Sequence, residues 1–299
     1  MIVELVSTPI VPEDTRVEVS PRRLAWRRFR RHRLAMAGTV VLAIVVLAAV
    51  FGPLLLPIDP NAVDPTAIRQ PPSAEHLLGT DSAGRDVLAR LLAGGRVSLL
   101  VGLTVALTAT VIGLVLGAIA GFFGGWIDAV LSRITDVVLS FPTLIVVIII
   151  VAFTGPSITT LILAVGLFEW PTAFRIVRGL VLSLRDQDSI RAVRGLGAST
   201  VRILVKHVVP AVVAPLTVVA TILVAQAILL EAGLSFLGLG VPPPTASWGN
   251  MLNEAQSFTV LQTMPWLWIP AGCAIAITVL AVNFIGDGLR DASDPRSSR

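Results

Sequence analysis

The chain has 299 residues, 55% of them apolar and 14% charged, with a formal net charge of +4. The apolar residues gather in blocks of about 20, the length that crosses a ~30 Å hydrocarbon core, which excludes a soluble helical globule. One cysteine, Cys273, and three scattered histidines, His32, His76 and His207, exclude a disulfide framework and a zinc spacing.

A basic segment, 1–33, comes first and carries Arg16, Arg22, Arg23, Arg27, Arg28, Arg30, Arg31 and Arg33. Arginines beside an apolar block act as topology signals and contacts for anionic lipid headgroups, so the positive charge points to membrane lipid and not to nucleic acid. The apolar run behind it, 34–56, is longer than a signal-peptide h-region and lacks a small-residue cleavage site, and it reads as a retained span. Further spans are expected at 97–122, 129–153, 158–182, 208–230 and 266–289. The fold class is therefore an all-α integral membrane domain of six spans over 34–290, followed by a short tail, 291–299.

Between the first two spans, Gly79-Thr80-Asp81-Ser82-Ala83-Gly84-Arg85-Asp86 imitates the glycine spacing of a phosphate-binding loop. It lacks the Lys-Ser/Thr pair that holds phosphate and magnesium, and Asp86 puts a negative charge where the hydroxyl belongs. No nucleotide site is visible. The second span carries Gly102, Ala106, Gly113, Gly117 and Gly121, a stripe of small residues that lets another helix come close, whether from this chain or from another subunit. Pro142, Pro171, Pro210, Pro215 and Pro270 lie in or beside spans and suit either a pathway bend or an ordinary packing kink. The fourth run is interrupted by Glu169, Trp170, Pro171 and Arg175, so it either leaves the bilayer early or faces protein instead of lipid.

Next comes a polar, basic island, about 186–207. Ile190, Val193, Val201, Leu204 and Val205 alternate with Arg191, Arg194, Arg202 and Lys206 in a helical pattern that Gly195 and Gly197 interrupt. Asp188 or Ser189 can cap a first short helix, and Ser199 or Thr200 a second that runs into the fifth span. Two helices joined at a glycine corner make a knob that a water-soluble partner can grip; an interfacial helix lying on lipid fits the same arginines. Glu231, at the outer end of the fifth span, reads as a structural group near the membrane interface, with substrate contact as the alternative.

Arg175, Arg178, Arg185, Arg191, Arg194, Arg202 and Lys206 place the island in the cytoplasm with the basic N-terminal segment. The loops 154–157 and 230–266 hold no Lys or Arg and belong outside. The first outer loop carries Arg69, Arg85, Arg90 and Arg96 and is outnumbered. Both termini are then cytoplasmic. No nucleophile–base spacing, His-Glu-x-x-His or paired intramembrane carboxylate is present, so the chain reads as non-catalytic and without a metal site. Nor do the spans contain the run of Asp, Glu and His that a proton-coupled carrier uses.

Arg191-Ala192-Val193, then Gly197, then nine residues and His207-Val208-Val209-Pro210, resembles the coupling motif of ABC importer permeases. Arg191 stands in place of the motif's Glu, Val193 of its second Ala and His207 of its Ile. The stretch 70–88 with Gly79, Thr80, Asp81, Gly84, Arg85 and Asp86, the stretch 231–252 with Glu231, Trp248 and Gly249, and the C-terminal Gly286, Asp287, Arg290 and Asp291 before Asp294-Pro295 are similar to the dipeptide, oligopeptide and nickel permeases, in particular their C-type subunit. The likeness runs from about residue 27 to 295.

The resemblance implies a subunit of an ATP-driven importer of di- or oligopeptides in the cytoplasmic membrane. Nickel, a glutathione-like peptide or a short glycan are the alternative cargoes, and an autonomous channel or carrier is a remote one. It implies a second permease subunit, two cytoplasmic ATPase subunits and an extracytoplasmic solute-binding protein as partners. Mg-ATP belongs to the ATPases, so no cofactor is expected in this chain. Arg191, Ala192, Val193, Gly197, Ala198, Ser199 and Pro210 are the expected coupling residues. No substrate-contacting residue is identified.

Overall fold

The computed structural model describes residues 21–56 and 58–293. The 1–20 part of the basic segment and the Asp294-Pro295 end of the C-terminal motif lie outside them.

The first helix, α1 (Pro21–Arg31), precedes α2 (Arg33–Leu55), and His32 between them caps α2 by accepting the Ala35 amide at 3.1 Å. Phe29 of α1 is buried with Ala35 and, from the far end of the chain, Ala292.

The next helix, α3 (Val87–Phe123), begins well before the expected 97. Asp86 caps it, accepting the Ala89 amide at 2.8 Å, and Arg90 is buried where its guanidinium donates to the carbonyls of Pro60 and Pro244, at 3.3 and 3.4 Å. Loops, not lipid, therefore enclose its first turns.

Gly124 and Gly125, both at positive φ (66° and 55°), turn the chain into α4 (Gly125–Leu139). A residue with a Cβ resists that backbone region. The expected single span at 129–153 is two helices: α4 and α5 (Thr143–Thr154) meet at 79°. Pro142, at the N-cap of α5, disfavours helical backbone at Phe141 before it, which is why the run breaks there.

Ser157 caps α6 (Ile158–Arg185), which continues unbroken through Pro171 and past the expected end at 182. Of its two expected behaviours, it faces protein: half of its apolar window (50%) is buried, against 17–33% in the other long helices.

The small-residue stripe finds its neighbour within this chain. A Cβ on Gly117 would lie 2.8 Å from the Phe174 carbonyl oxygen and 2.9 Å from the Val177 Cβ, both on α6, and one on Gly121 would lie 2.8 Å from the Val181 Cβ. Only hydrogen at these positions lets the two backbones approach.

Beyond α6 lie α7 (Asp188–Gly195) and α8 (Thr200–Ile203); a π-helical turn (Leu204–Val208) joins α8 directly to α9 (Val209–Phe236). The fifth span thus begins at Thr200 and runs 37 residues to Phe236, instead of starting at 208. Short α10 (Trp248–Leu252) and α11 (Phe258–Thr263) cross the loop before α12 (Ile269–Ser293), which starts and ends later than the expected 266–289. By length and apolarity five helices can cross a membrane, or six with the bent α4–α5 pair as one span.

Phe174, Val177, Val208, Val212 and Leu223 are buried where α3, α6 and α9 pack together. One end gathers α1, the α3–α4 corner, α7 and the end of α12: Arg185 donates to the Gly121 carbonyl at 3.2 Å, Arg194 sits 5.2 Å over the Phe122 ring, and His32 lies 3.3 Å from Asp291. The loops 58–86 and 237–268 gather at the other end.

Candidate functional site

At the first end, α7 and α8 form the glycine-cornered knob. Ile190 is buried and Val193 and Ala198 are half-buried against the core, which pins the knob's inner side. The Leu196 amide donates to Ala192 at 3.0 Å, Gly197 to Arg194 at 3.0 Å and Ala198 to Val193 at 3.3 Å, closing the end of α7. Such a closure needs one residue in the left-handed region, and Gly197 supplies it at φ 82°. Ser199 then caps α8, accepting the Arg202 amide at 3.4 Å. The expected cap of α7 by Asp188 or Ser189 is absent. Gln187 occupies the N-cap without a side-chain hydrogen bond, because Asp188 is already inside the helix, where its charge meets the positive helix end.

Outward from the knob, Arg191, Ala192, Gly197 and Ser199 are exposed, and a Cβ on Gly197 would meet nothing within 4 Å. The restriction at Gly197 is therefore backbone conformation, not space. Leu196, 88% exposed at the tip, and Val201, 69% exposed, were not singled out by the motif. Both stand beside the knob's arginines, Arg194 and Arg202. Pro210 stands directly after the π-helical turn, inside the continuous helix that began at Thr200.

At the other end, the loop with the false phosphate signature folds on Asp81. This carboxylate is buried and accepts the Ala83 and Arg85 amides, both at 2.9 Å, and Nε of Arg85 at 2.7 Å; Arg90 lies 3.3 Å away. Gly79 and Gly84 take positive φ (73° and 79°), and Thr80 donates its hydroxyl to the Ala67 carbonyl. Asp86 receives His76 at 2.9 Å. At the loop's edge the Thr66 hydroxyl and amide hold the Asp64 carboxyl below its ordinary range. The motif thus builds a cap that ties the 58–86 loop to α3.

Removing one partner from a buried ion pair typically costs about 3 kcal/mol. Asp81→Ala is expected to unfold the cap at that cost, seen as an earlier thermal transition of the detergent-solubilised chain; an unchanged transition would count against this role.

The second outer motif is a clamp between α3, α9 and α10. Glu231 is fully buried near the end of α9 and accepts the hydroxyls of Ser98 on α3 at 3.0 Å and Ser235 at 2.7 Å. Ser98 in turn accepts the Trp248 amide at 3.1 Å, and the Trp248 indole donates to the Leu91 carbonyl at 2.9 Å. Gly249 sits on α9: a Cβ there would lie 2.6 Å from the Ser235 Cβ. Both carboxylate oxygens of Glu231 are thus taken up by hydroxyls of this chain.

Of the C-terminal motif, Gly286 packs on Thr221 of α9, while Asp287, Arg290 and Asp291 are exposed at the knob's end of the molecule. The structure brings the residues expected to couple, 191–199, to one end and the stretches 79–86 and 231–249 to the other. Among the described residues no three His, Cys, Asp or Glu side chains converge to hold a metal ion.

Residues 113–299 match the family model of binding-protein-dependent transport system inner membrane components, and residues 20–72 match that of the N-terminal transmembrane domain of oligopeptide transport permease C. A Brucella suis protein named as a candidate peptide permease is 45% identical over 277 residues, covering 93% of this chain and 92% of its own. The dipeptide transport system permease protein DppC of Alkalihalophilus pseudofirmus is 41% identical, covering 95% and 93%. The inward-facing MetNI methionine ABC transporter structure shares the fold, with a TM-score of 0.56 at 20% identity over 68% of this chain and 96% of that one. The chain belongs to the binding-protein-dependent inner-membrane permease family, among the members that carry the N-terminal domain of oligopeptide transport permease C.

Proposed function

We propose that this chain is one wall of a peptide importer whose motion is driven by ATPase subunits docked on the α7–α8 knob. The observation that carries this reading is the knob itself, held to the core by Ile190, Val193 and Ala198 while it presents Leu196, Ala192 and Arg191 outward. It sits at the foot of a helix that continues unbroken from Thr200 to Phe236. At 1.5 Å per residue that helix is about 55 Å long, so a push at the knob is delivered at the opposite end. There Glu231 and Gly249 couple α9 to α3 and α10. Two ATPases closing on ATP would shift one permease against a second, exposing the pathway to one side at a time.

The arginine distribution supports a cytoplasmic knob and cytoplasmic termini. The arginines of α1, with Trp26 exposed among them, suit anionic headgroups on that side. The cap around Asp81 and the clamp around Glu231 then face outward, where a solute-binding protein delivers its cargo. Peptide is the cargo best supported, because the similar Brucella and Alkalihalophilus proteins bear peptide and dipeptide names. Mg-ATP is held and cleaved in the partner subunits.

Reconstitution with the neighbouring permease, ATPase and binding-protein subunits tests this. Peptide-loaded binding protein should raise ATP hydrolysis and drive peptide accumulation in proteoliposomes. Accumulation by this chain alone, with no ATPase present, would refute it.

A further inference from the structure

Glu169 lies at the twelfth position of the 28-residue α6. At 1.5 Å per residue it sits about 16 Å from one end of the helix and about 24 Å from the other, well inside a ~30 Å hydrocarbon layer. Among the described residues none hydrogen-bonds or ion-pairs with it, and it is partly exposed. Glu169, Thr172, Ile176, Gly179 and Ser183 recur at helical spacing on one open face of α6, with Arg175 at its edge.

Arg175 reaches Asp136 of α4 at 2.9 Å with both side chains more than half exposed, 58% and 54%. A cavity of about 210 Å³ lies beside the pair, lined by Ser132, Thr135 and Phe174 as well. Elsewhere the exposed surface is apolar: α3 exposes Leu100, Leu103, Leu107 and Val111, and α6 exposes Leu163 and Leu167 on the side away from Glu169. An open ion pair and an unpaired carboxylate at this depth do not face lipid; they face a water-filled cavity or another polar surface.

We propose that the polar face of α6 and α4 lines the translocation pathway and that Glu169 contacts the solute, receiving its positively charged group: a free α-ammonium or a Lys or Arg side chain. Arg175 follows about 9 Å further along the axis, so the face offers both signs of charge to a solute that carries an ammonium and a carboxylate. This rests on the peptide-import reading for the identity of the solute. The assignment of the face to the pathway and the attraction of cations to Glu169 do not.

The test therefore has two readouts. In the assembled complex, Glu169→Gln should lower the uptake of lysine-bearing relative to glutamate-bearing peptides at least fivefold, with Glu169→Asp restoring most of the ratio. Independently of any peptide, Thr172→Cys in a Cys273→Ala background should react with membrane-impermeant thiosulfonates. A cationic reagent should outpace an anionic one, and adding Glu169→Gln should cut that preference at least threefold.

Position 172 unreactive in every nucleotide state would overturn the proposal. So would a Glu169→Gln variant that loses all uptake together with assembly of the two permeases, since that is the mark of an ion pair between subunits. A wild-type complex that moves no peptide, while the reagent preference still depends on Glu169, would defeat the peptide reading and leave the pathway assignment supported.

Discussion

Gly197→Trp is expected to lower transport-coupled ATP hydrolysis at least tenfold while the chain still inserts and pairs. Two effects combine in that variant. Gly197 holds φ at 82°, a conformation that costs a residue with a Cβ roughly 1–2 kcal/mol. The surrounding space is open in this chain, so the indole would occupy the volume where an ATPase surface must settle. Gly197→Ala isolates the first effect and should lower coupling by about thirtyfold at most, as 1.4 kcal/mol corresponds to one decade. Gly195 is the control. A Cβ added there would also meet nothing within 4 Å, but its φ is not positive, so Gly195→Ala should leave coupling unchanged. Equal losses at 195 and 197 would show that the glycine corner has no special part in docking.

Gly117→Leu is expected to prevent accumulation of folded protein. The added Cβ would press on the Phe174 carbonyl oxygen at 2.8 Å, and backbone cannot swing aside as a side-chain tip can. The α3–α6 contact would have to open along Gly113, Gly117 and Gly121, and overpacking of this kind costs about 3 kcal/mol or more. Gly233→Ala meets nothing within 4 Å and should be tolerated. Fluorescence-detected size-exclusion profiles of the two variants read the difference directly; a monodisperse peak for Gly117→Leu would contradict the close packing of α3 on α6.

Apolar run length located the five helices of the described residues that are long and apolar enough to cross a membrane, because a bilayer demands about 20 apolar residues whatever the tertiary fold. It could not reveal the 79° bend between α4 and α5, since the two helices meet with only Ser140, Phe141 and Pro142 between them and only the proline hinted at a break. Nor could it place the start of α3. Arg90 reads as a loop residue until Pro60 and Pro244, both distant in sequence, supply the carbonyls that bury it.

The glycine corner at 195–197 and the cap at Ser199 were legible because turn chemistry is local. The burial of Glu231 was not: its partner Ser98 lies 133 residues away. The interruptions at Glu169 and Arg175 were visible as breaks in hydropathy. That they share an open face with Thr172 and Gly179 emerged only once α6 was seen to pack its other side on α3.

The decisive measurement is labelling of Leu196→Cys, in the Cys273→Ala background, by a membrane-impermeant maleimide in inside-out and right-side-out vesicles. Position 196 should react only in inside-out vesicles and should become protected when the ATPase subunits are bound. Reaction from the outer face, or reaction undiminished by a full complement of ATPase, would remove the knob from the coupling surface and with it the proposed drive of the importer.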